Sequence, residues 1–519
     1  MITRNFVRRN HYSDSVSLML LSSKLTKMPG VIGAAVMMAT DNNKVLMRRS
    51  QLLLEESETA SPSDMIIALK VEGEEMLAEV QNVVEDFFSK TGRSANFTEN
   101  DPVVRTQDMA LKMFEGANLA IISIPGRYAA REAKKALERD LHVLLFSDNV
   151  SLEDEKELKK MAVAKGLLMM GPDCGTSIIN GYGLGFANAV RKGGIGLVAA
   201  SGTGLQEVSC IINKHGGGIS QAIGTGGRDV KSSVGGIMMM AGLQALSSDH
   251  DTEVIVLVSK PPDKPVLDQI LEVAGNAGKP VVSCFLGAVY GKVPDNVLTV
   301  RTLEEAAIRS IELSASNKGL HVEYPASGTR IREVAESGSC SFRPPQRFLR
   351  GLFSGGTLCY EALLLLSPVL GDIYSNIPFE PRLKLLDPGK SIGHTLLDLG
   401  DDYFTESRPH PMIDASYRVE RFEKEASDPE TAVILLDVVL GYGSHPDPAG
   451  VLVDPVSKAR TSALLEGRNI IVIASVCGTP DDPQDLTRQE EKLREAGVLV
   501  MPSNAQASAL ATAIISMGR

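Results

Sequence analysis

The chain has 519 residues, an apolar content of 43% and a formal charge of −11. This length exceeds a single hydrophobic core and predicts roughly two to four α/β units. The negative charge excludes a broad nucleic-acid-binding face, and the longest apolar run, residues 31–39, is too short to span a bilayer.

Six cysteines are scattered along the chain without a C-x-x-C pair, and no apolar signal segment follows the basic N-terminus. This pattern favours reduced thiols over a disulfide framework or a structural zinc site. We therefore expect a cytoplasmic α/β protein that binds neither nucleic acid nor membrane, and we predict no metal site.

Short apolar runs alternate with amphipathic stretches along most of the chain. Continuous apolar runs are typical of strands buried on both faces of a parallel sheet, and the alternation indicates right-handed βαβ units. Helices are predicted at 129–139 and 152–165, the second opened by Ser151 as its cap. The predicted strands are residues 32–38, 65–69, 119–124, 143–146, 167–170, 195–199, 254–258, 281–285, 433–436, 470–474 and 498–501.

The loop after strand 167–170 contains Pro172, Asp173 and Cys174. It lies at the carboxyl end of a strand, which is where α/β sheets bind ligands. No histidine neighbours Cys174 in the sequence, so we expect a structural or pocket-lining thiol.

One turn pattern occurs twice. The first glycine turn is Ser201, Gly202 and Thr203, and the second is Gly355, Gly356 and Thr357. Each is followed by a glutamate, Glu207 or Glu361, four residues after its threonine. A strand, a glycine turn and a helix aim backbone N–H groups and the positive end of the helix dipole at an anion. We predict that both turns bind phosphate and face one reacting group; the alternative is that the hydroxyls only cap their helices.

A second glycine-rich loop holds Gly226, Gly227 and Arg228 after the short apolar run 220–223. Successive glycines can form a backbone nest, and an arginine can bind a carboxylate or phosphate bidentately. The alternative is a flexible loop closed by a contact between Arg228 and Asp229.

The densest polar cluster spans residues 398–414 and contains Arg408 and His410. We predict that Arg408 binds a carboxylate and that His410, held between two prolines, transfers a proton, because histidine titrates near neutrality. The alternatives are a solvated turn and a metal site made with Asp401 and Asp402.

Residues 316–347 break the alternation and are predicted to be a linker. The segments on either side correspond to each other: 254–258 matches 433–436, and 281–285 matches 470–474. A duplicated, five-stranded, flavodoxin-like unit explains this correspondence.

Four motifs together resemble the FdrA family. They are Met169-Met-Gly-Pro-Asp-Cys-Gly-Thr, Ile195-Gly-Leu-Val-Ala-Ala-Ser-Gly-Thr, Gly351-Leu-Phe-Ser-Gly-Gly-Thr-Leu and Arg408-Pro-His-Pro-Met-Ile-Asp. FdrA proteins are similar to the α subunit of succinyl-CoA synthetase. The resemblance implies an α/β fold with a Rossmann-like, CoA-binding-type N-terminal domain at 1–192. Two tandem flavodoxin-like ligase domains would follow at 193–315 and 348–519.

Departures from the synthetase pattern limit what the resemblance implies. Leu286-Gly-Ala-Val-Tyr-Gly stands where the synthetases carry their phosphorylated histidine, and Ser259-Lys-Pro-Pro stands where the glutamate that orients it should be. The glycine-rich CoA loop is replaced by a segment with Ser13 and Ser15, which would line a CoA-like pocket with residues 172–174. No ATP-grasp domain is apparent, so a self-contained ATP-dependent synthetase is not expected.

The resemblance implies a subunit of an oxamate carbamoyltransferase that works with separately encoded partner subunits. Oxalurate and phosphate would give oxamate and carbamoyl phosphate through an acyl-phosphate species without phosphohistidine. Thr203, Arg408 and His410 are the predicted catalytic residues. The alternatives are an acyl-CoA synthetase and a non-catalytic scaffold or CoA-sensing subunit. CoA is a candidate cofactor, and the acyl or carbamoyl acceptor is left open.

Overall fold

The computed structural model divides into two compact units: residues 1–113 with 402–410, and residues 114–401 with 411–519. The described helices include none that is both long and apolar enough to cross a bilayer. The residues that the structure describes are 1–9, 11, 13, 15–91, 104, 106–317, 319, 331, 335–336, 342–405 and 408–518. Most of the predicted linker, 316–347, lies outside them.

The first unit is built on a three-stranded antiparallel sheet in the order β1-β3-β2. The central strand is buried on both faces, against Leu21 and Leu25 of one cluster and Met47 and Leu52 of another. The strands are β1 (Ile2–Arg8), β2 (Val31–Met38) and β3 (Met65–Val71), and the helices are α1 (Ser15–Thr26), α2 (Asp41–Arg49), α3 (Glu75–Thr91) and α4 (Gln107–Met113).

This antiparallel sheet differs from the Rossmann-like sheet expected across residues 1–192. A central antiparallel strand covered on both faces reads as a continuous apolar run, as a parallel strand does. The sequence pattern therefore could not distinguish the two sheet types.

The second unit opens with a three-stranded parallel sheet, β4-β5-β6. The side chain of Ser151 accepts the backbone amide of Asp154 and caps α6, as predicted. The elements are β4 (Leu119–Ile122), α5 (Gly126–Glu138), β5 (His142–Leu145), α6 (Leu152–Ala164) and β6 (Met169–Met170).

The next sheet has the order β13-β12-β11-β9-β10-β7-β8, in which β7 and β8 form an antiparallel hairpin. The strands from β9 to β13 are parallel and form what we call the first repeat. Its elements and the hairpin are β7 (Thr176–Ile179), β8 (Tyr182–Gly185), β9 (Lys192–Ala199), α7 (Gly202–Lys214), β10 (Ile219–Gly224), α8 (Ile237–Ser248), β11 (Val254–Ser259), α9 (Lys264–Gly275), β12 (Val281–Phe285), β13 (Val297–Thr299) and α10 (Leu303–Leu313).

The last sheet, the second repeat, has the order β15-β16-β14-β17-β18-β19 and is parallel throughout. Its elements are β14 (Phe348–Phe353), α11 (Gly356–Leu370), β15 (Ile373–Ser375), β16 (His394–Asp398), α12 (Asp402–Thr405), α13 (Ser416–Ser427), β17 (Thr431–Val439), α14 (Gly450–Leu465), β18 (Ile471–Cys477), α15 (Leu486–Glu495), β19 (Leu499–Met501) and α16 (Asn504–Met517). Helix α12 belongs to the first compact unit by its contacts.

Both repeats share the flavodoxin-like order 2-1-3-4-5, with β15 added at one edge of the second. The predicted duplication is thereby confirmed. One hydrophobic cluster contains buried residues of both repeats, including Leu205 of α7, Leu358 of α11 and Leu510 of α16. The first and last helices of each repeat therefore share one core.

Candidate functional site

The two glycine turns are in direct contact. Ser201 Oγ lies 2.6 Å from Thr357 Oγ1, across the boundary between the repeats. A Cβ atom added to Gly355 would lie 2.9–3.0 Å from the side chain of Thr203, so glycine is needed there for the close approach. The structure therefore brings together the two turns that the sequence pattern singled out.

The second glycine turn is already occupied by a carboxylate of the protein. The side chain of Asp437, in β17, accepts hydrogen bonds from the backbone amides of Ser354 and Gly355 at 2.8 and 2.7 Å. Arg418 lies behind this carboxylate, with Nη2 at 2.9 Å from Asp437 Oδ1. The expectation that the amide of Gly355 binds phosphate is therefore wrong, because this amide already donates a hydrogen bond to an acidic side chain of the neighbouring strand.

Asp398 flanks the same turn from the other neighbouring strand, β16. Its side chain is 7% exposed, and Oδ1 accepts the amide of Gly400 at 3.0 Å. A Cβ atom added to Gly356 would lie 2.3 Å from Asp398 Oδ2, so this oxygen sits at the N-terminus of α11. Burial raises the pKa of Asp398 to about 6, although the positive charge of Lys260 lowers it.

The strands that flank the first glycine turn carry no acidic residue at the equivalent places. Ala199 ends β9 before this turn, and its register partners in the flanking strands are Gly224 and Val258. The side chain of Ser201 accepts the amide of Gly204 at 2.9 Å and caps α7. The amides that begin a helix have no intrahelical acceptor. The two turns have thus diverged: acidic side chains lie beside the second turn, and phosphate binding at the first stays a prediction.

A lysine of the first repeat reaches the helix that follows the second turn. Lys260 comes directly after β11, and its Nζ lies 5.6 Å from the ring centre of Tyr360 in α11. Burial raises the pKa of Tyr360 to about 12. Sequence reasoning noticed Lys260 only as a departure from the synthetase pattern, and it assigned no role to Asp398 or Asp437.

The glutamates of the repeated pattern cap helices of the opposite repeat. The side chain of Glu207, in α7, accepts a hydrogen bond at 3.1 Å from the backbone amide of Asn504, the first residue of α16. Glu361 of α11 accepts the amide of Leu303, the first residue of α10, at 2.7 Å. Because these side-chain oxygens accept hydrogen bonds from amides that have no intrahelical acceptor, the crossed contacts join the two repeats.

The crossed contacts predict a pH-dependent stability. Burial raises the pKa of Glu361 from its ordinary 4.5 to about 8, so the folded state holds this proton more tightly than the unfolded chain. Stability is then full below pH 4.5 and falls as the pH rises towards 8, by at most about 1.4 kcal/mol per pH unit for this group. We expect a smaller slope in Glu361→Gln, measured by guanidinium unfolding at pH 5.5, 7 and 8.5. Equal slopes for the two proteins would contradict this assignment.

Arg228 does not offer a free charge to a ligand. Its Nη2 lies 2.9 Å from Glu155 Oε2 and donates to the carbonyl of Val150 at 2.9 Å. Asp229 instead binds Lys159 Nζ at 2.9 Å, so the alternative contact between Arg228 and Asp229 is also replaced. The predicted role of Arg228 as a carboxylate clamp is therefore not supported.

The glycine loop beside it packs against the backbone of the loop after β6. Gly226 has a φ of +80°, and a Cβ atom there would lie 2.2 Å from the carbonyl oxygen of Pro172. A Cβ atom at Gly224 would lie 2.5 Å from Cys174 Sγ. Gly227 is exposed, and a Cβ atom added to it would have no neighbour within 4 Å. The two loops thus touch each other directly.

Cys174 behaves as the structural thiol that was expected. It is buried, and burial raises its pKa to about 11, which leaves little thiolate at neutral pH. Asp173 next to it is exposed. Ser13 lies in the first unit, and the side chain of Ser15 lies outside the described residues.

Arg408 and His410 group with the first unit by their contacts, whereas Asp401 belongs to the second. The roles predicted for Arg408 in carboxylate binding and for His410 in proton transfer stay predictions. The described residues contain no group of three or more His, Cys, Asp or Glu arranged to hold a metal.

Three family models match the chain. They are "AllF, heavy metal-associated domain" at residues 1–103, "CoA binding domain" at 190–287 and "CoA-ligase" at 352–514. The CoA-binding match falls on the segment expected to be the first ligase domain, and residues 1–103 match a different family from the one expected. The α/β fold with CoA-binding and CoA-ligase domains is confirmed.

The chain is similar to two kinds of relatives. An uncharacterized protein of Escherichia coli K12, YahF, is 44% identical over 523 residues, covering 100% of this chain and 99% of that protein. The α subunit of ADP-forming succinate–CoA ligase from Staphylococcus epidermidis is 26% identical over 200 residues. That match covers 38% of this chain and 64% of the subunit, less than two thirds of its length.

A solved structure, the dinucleotide-forming acetyl-coenzyme A synthetase 1 of Ca. Korarchaeum cryptofilum with phosphate and ADP, covers 78% of this chain and 83% of its own. Its identity is 14% and its TM-score is 0.29, which is too low to support a geometric argument.

The metal that the heavy metal-associated domain implies does not fit the residues present in that segment. Residues 1–103 contain no cysteine and a single histidine, His11, so the thiolates that soft metals prefer are missing there. In the predicted CoA-like pocket, the loop at 172–174 is in direct contact with the loop at 224–226.

Proposed function

Because the chain belongs to the family of the Escherichia coli protein YahF and carries a CoA-ligase domain, we propose that it is an FdrA-type transferase subunit. It acts on an acyl or carbamoyl phosphate without a phosphohistidine. The specific reaction is oxalurate plus phosphate to oxamate plus carbamoyl phosphate, carried out with separately encoded partner subunits.

One observation supports this proposal above the others: the two glycine turns meet, and carboxylates of the protein lie beside the second turn but not at the equivalent places of the strands that flank the first. Phosphate binds at the first turn, on the amides of Gly202 and Thr203 and the hydroxyl of Thr203. The positive end of the α7 dipole adds to this attraction.

The chemistry follows from that placement. A phosphate oxygen attacks the carbamoyl carbon of oxalurate, a C–O bond forms, and the tetrahedral oxyanion is stabilised by N–H donors. The C–N bond to the oxamate nitrogen then breaks, and that nitrogen takes up a proton. No residue has to be phosphorylated, which agrees with the absence of histidine from the segment 286–291.

The CoA-ligase match favours a second candidate, an acyl-CoA synthetase. This reaction would need CoA and a nucleotide. The two candidates therefore differ in which cosubstrate is consumed.

The test is to assemble the chain with the products of its neighbouring genes and supply oxalurate and phosphate. We expect carbamoyl phosphate, and a rate at least about tenfold lower in Thr203→Val, as for loss of one transition-state donor. Thr461→Val, at an exposed threonine of α14, is the matched control and should keep the rate. CoA-dependent nucleotide turnover without carbamoyl phosphate would establish the synthetase instead.

A further inference from the structure

We propose that a cavity between the two repeats binds a small zwitterionic amino acid, whose carboxylate lies on Arg191 and whose ammonium group lies on Asp481. This site goes beyond the proposed function and does not depend on the two glycine turns. The bound molecule joins a residue that precedes β9 of the first repeat to a residue that follows β18 of the second.

The cavity has a volume of ≈ 180 Å³ and is partly open to solvent. One wall is the β7–β8 hairpin with the segment that leads into β9, and it contributes Ile178, Val190 and Arg191. The other wall is formed by Tyr442 and Asp481. An apolar cavity of about 150 Å³ holds one benzene ring, so this volume suits a molecule of about six to ten non-hydrogen atoms.

The second wall lies at an edge of the sheet that commonly binds ligands. Tyr442 follows β17 and Asp481 follows β18, and these two strands are parallel neighbours. Open α/β sheets bind ligands outside the carboxyl ends of their strands, and pockets are frequent where two domains meet. The cavity satisfies both conditions, because the first repeat supplies its opposite wall.

Two opposite charges in the cavity have no partner in the protein. Within the described part of the chain, the side chains of Arg191 and Asp481 form no hydrogen bond or ion pair, either with each other or with another residue. A guanidinium binds a carboxylate bidentately, and a carboxylate accepts charge-assisted hydrogen bonds from an ammonium group. Opposite charges that share a cavity without pairing suit a molecule that carries both complementary charges.

Buried hydrogen bonds hold the two walls together. Asp482 is 4% exposed, and it accepts hydrogen bonds from Asn188 Nδ2 at 2.8 Å and from the amide of Ala189 at 2.7 Å. Thr479 Oγ1 donates to the carbonyl of Ala189 at 2.6 Å. These residues are sequence neighbours of the two charged ones, so the backbone that carries each charge is fixed before a ligand binds. Such preorganisation lowers the entropic cost of binding.

The rest of the lining favours an apolar side chain on the ligand. Ile178 and Val190 are apolar, and Tyr442 contributes its ring. A Cβ atom added to Gly183 would lie 3.1 Å from two ring atoms of Tyr442, so glycine lets the ring lie against the hairpin. A branched amino acid of the size of valine therefore matches the cavity in charge, volume and polarity.

Isothermal titration calorimetry of the full chain with L-valine tests the site. We expect a dissociation constant of about 1 mM or lower. Isovalerate is valine without its ammonium group, and isobutylamine is valine without its carboxylate. Each should bind at least about tenfold more weakly than L-valine, because each leaves one charged side chain of the cavity without a partner.

Two variants assign the contacts. Arg191→Gln and Asp481→Asn should each weaken L-valine binding by at least about tenfold. Both residues are exposed, so the melting temperature of the free chain should stay unchanged. Arg488→Gln in α15 and Asp454→Asn in α14 alter exposed residues outside the cavity lining, and these matched controls should keep the affinity.

Loss of L-valine binding in both cavity variants, with binding kept in both controls, supports the site. No heat of binding for L-valine, or equal affinities for L-valine, isovalerate and isobutylamine, overturns it. Undiminished binding in Arg191→Gln or in Asp481→Asn overturns it as well. Carbamoyl phosphate formation by the assembled subunits is measured separately, so a failure of this site and a failure of the proposed function are distinguishable.

Discussion

The Gly202→Asp variant is expected to bind inorganic phosphate at least about tenfold more weakly than the unmodified chain. Gly202 is the first residue of α7, so the new carboxylate would stand where the phosphate is held. Two like charges about 4 Å apart near a protein surface repel by about 4 kcal/mol before screening by salt, and about 1.4 kcal/mol is enough for a tenfold loss.

The substitution should leave the fold intact. The nearest atom to a Cβ added at Gly202 is Thr176 Oγ1 at 3.4 Å, and an acidic residue at the start of a helix is favourable. Gly202→Asn has nearly the same shape without the charge and is the matched control. Phosphate titrations in a calorimeter that give the same affinity for Asp and Asn variants would contradict an anion site at this turn.

The Lys159→Met variant is expected to lose about 3–5 kcal/mol of unfolding free energy. The ammonium group of Lys159 is fully buried and lies 2.7 Å from Glu155 Oε1 and 2.9 Å from Asp229 Oδ1. It also donates to the carbonyl of Thr225 at 2.9 Å. Removing this cation leaves Asp229 buried without a cationic partner in the described residues, which costs more than the lost contacts.

Lys134→Met is the control for this prediction. Lys134 forms a comparable ion pair with Glu157 at 2.7 Å, but the two side chains are 50% and 62% exposed. Exposed pairs of this kind contribute about 0–1 kcal/mol. Denaturant unfolding should therefore give clearly different unfolding free energies for the two variants. A similar small loss in both would show that the contacts of Lys159 with Thr225 and Asp229 do not stabilise the fold.

The duplicated fold was predictable because both repeats are parallel sheets covered on both faces. Runs such as 254–258 and 433–436 stay apolar through every position, and they became β11 and β17 at equivalent places in the two sheets. Strands β14 and β15 were not predicted, and β10 and β16 were also missed. Gly224 and Asp398 interrupt their apolar character at the ends.

The N-terminal unit was not predictable by the same rule. Strand β3 reads as a buried run, and nothing in its pattern shows that its neighbours run antiparallel to it. Strand direction depends on how the connections cross the sheet, which apolar periodicity does not report.

The candidate site was predicted in part. The repeat of glycine, threonine and glutamate found both turns, and their contact follows from the symmetry of two similar repeats. The residues that give each turn its charge come from neighbouring strands far along the chain, so a turn read alone does not reveal them. A signal was present: Asp437 interrupts an otherwise apolar strand, and a buried acid at such a place needs a partner.

The most direct test of the account is a crystal structure of the full chain with phosphonoacetamide. The account predicts the phosphonate within hydrogen-bonding distance of the amides of Gly202 and Thr203. A phosphonate bound elsewhere on the chain would contradict it.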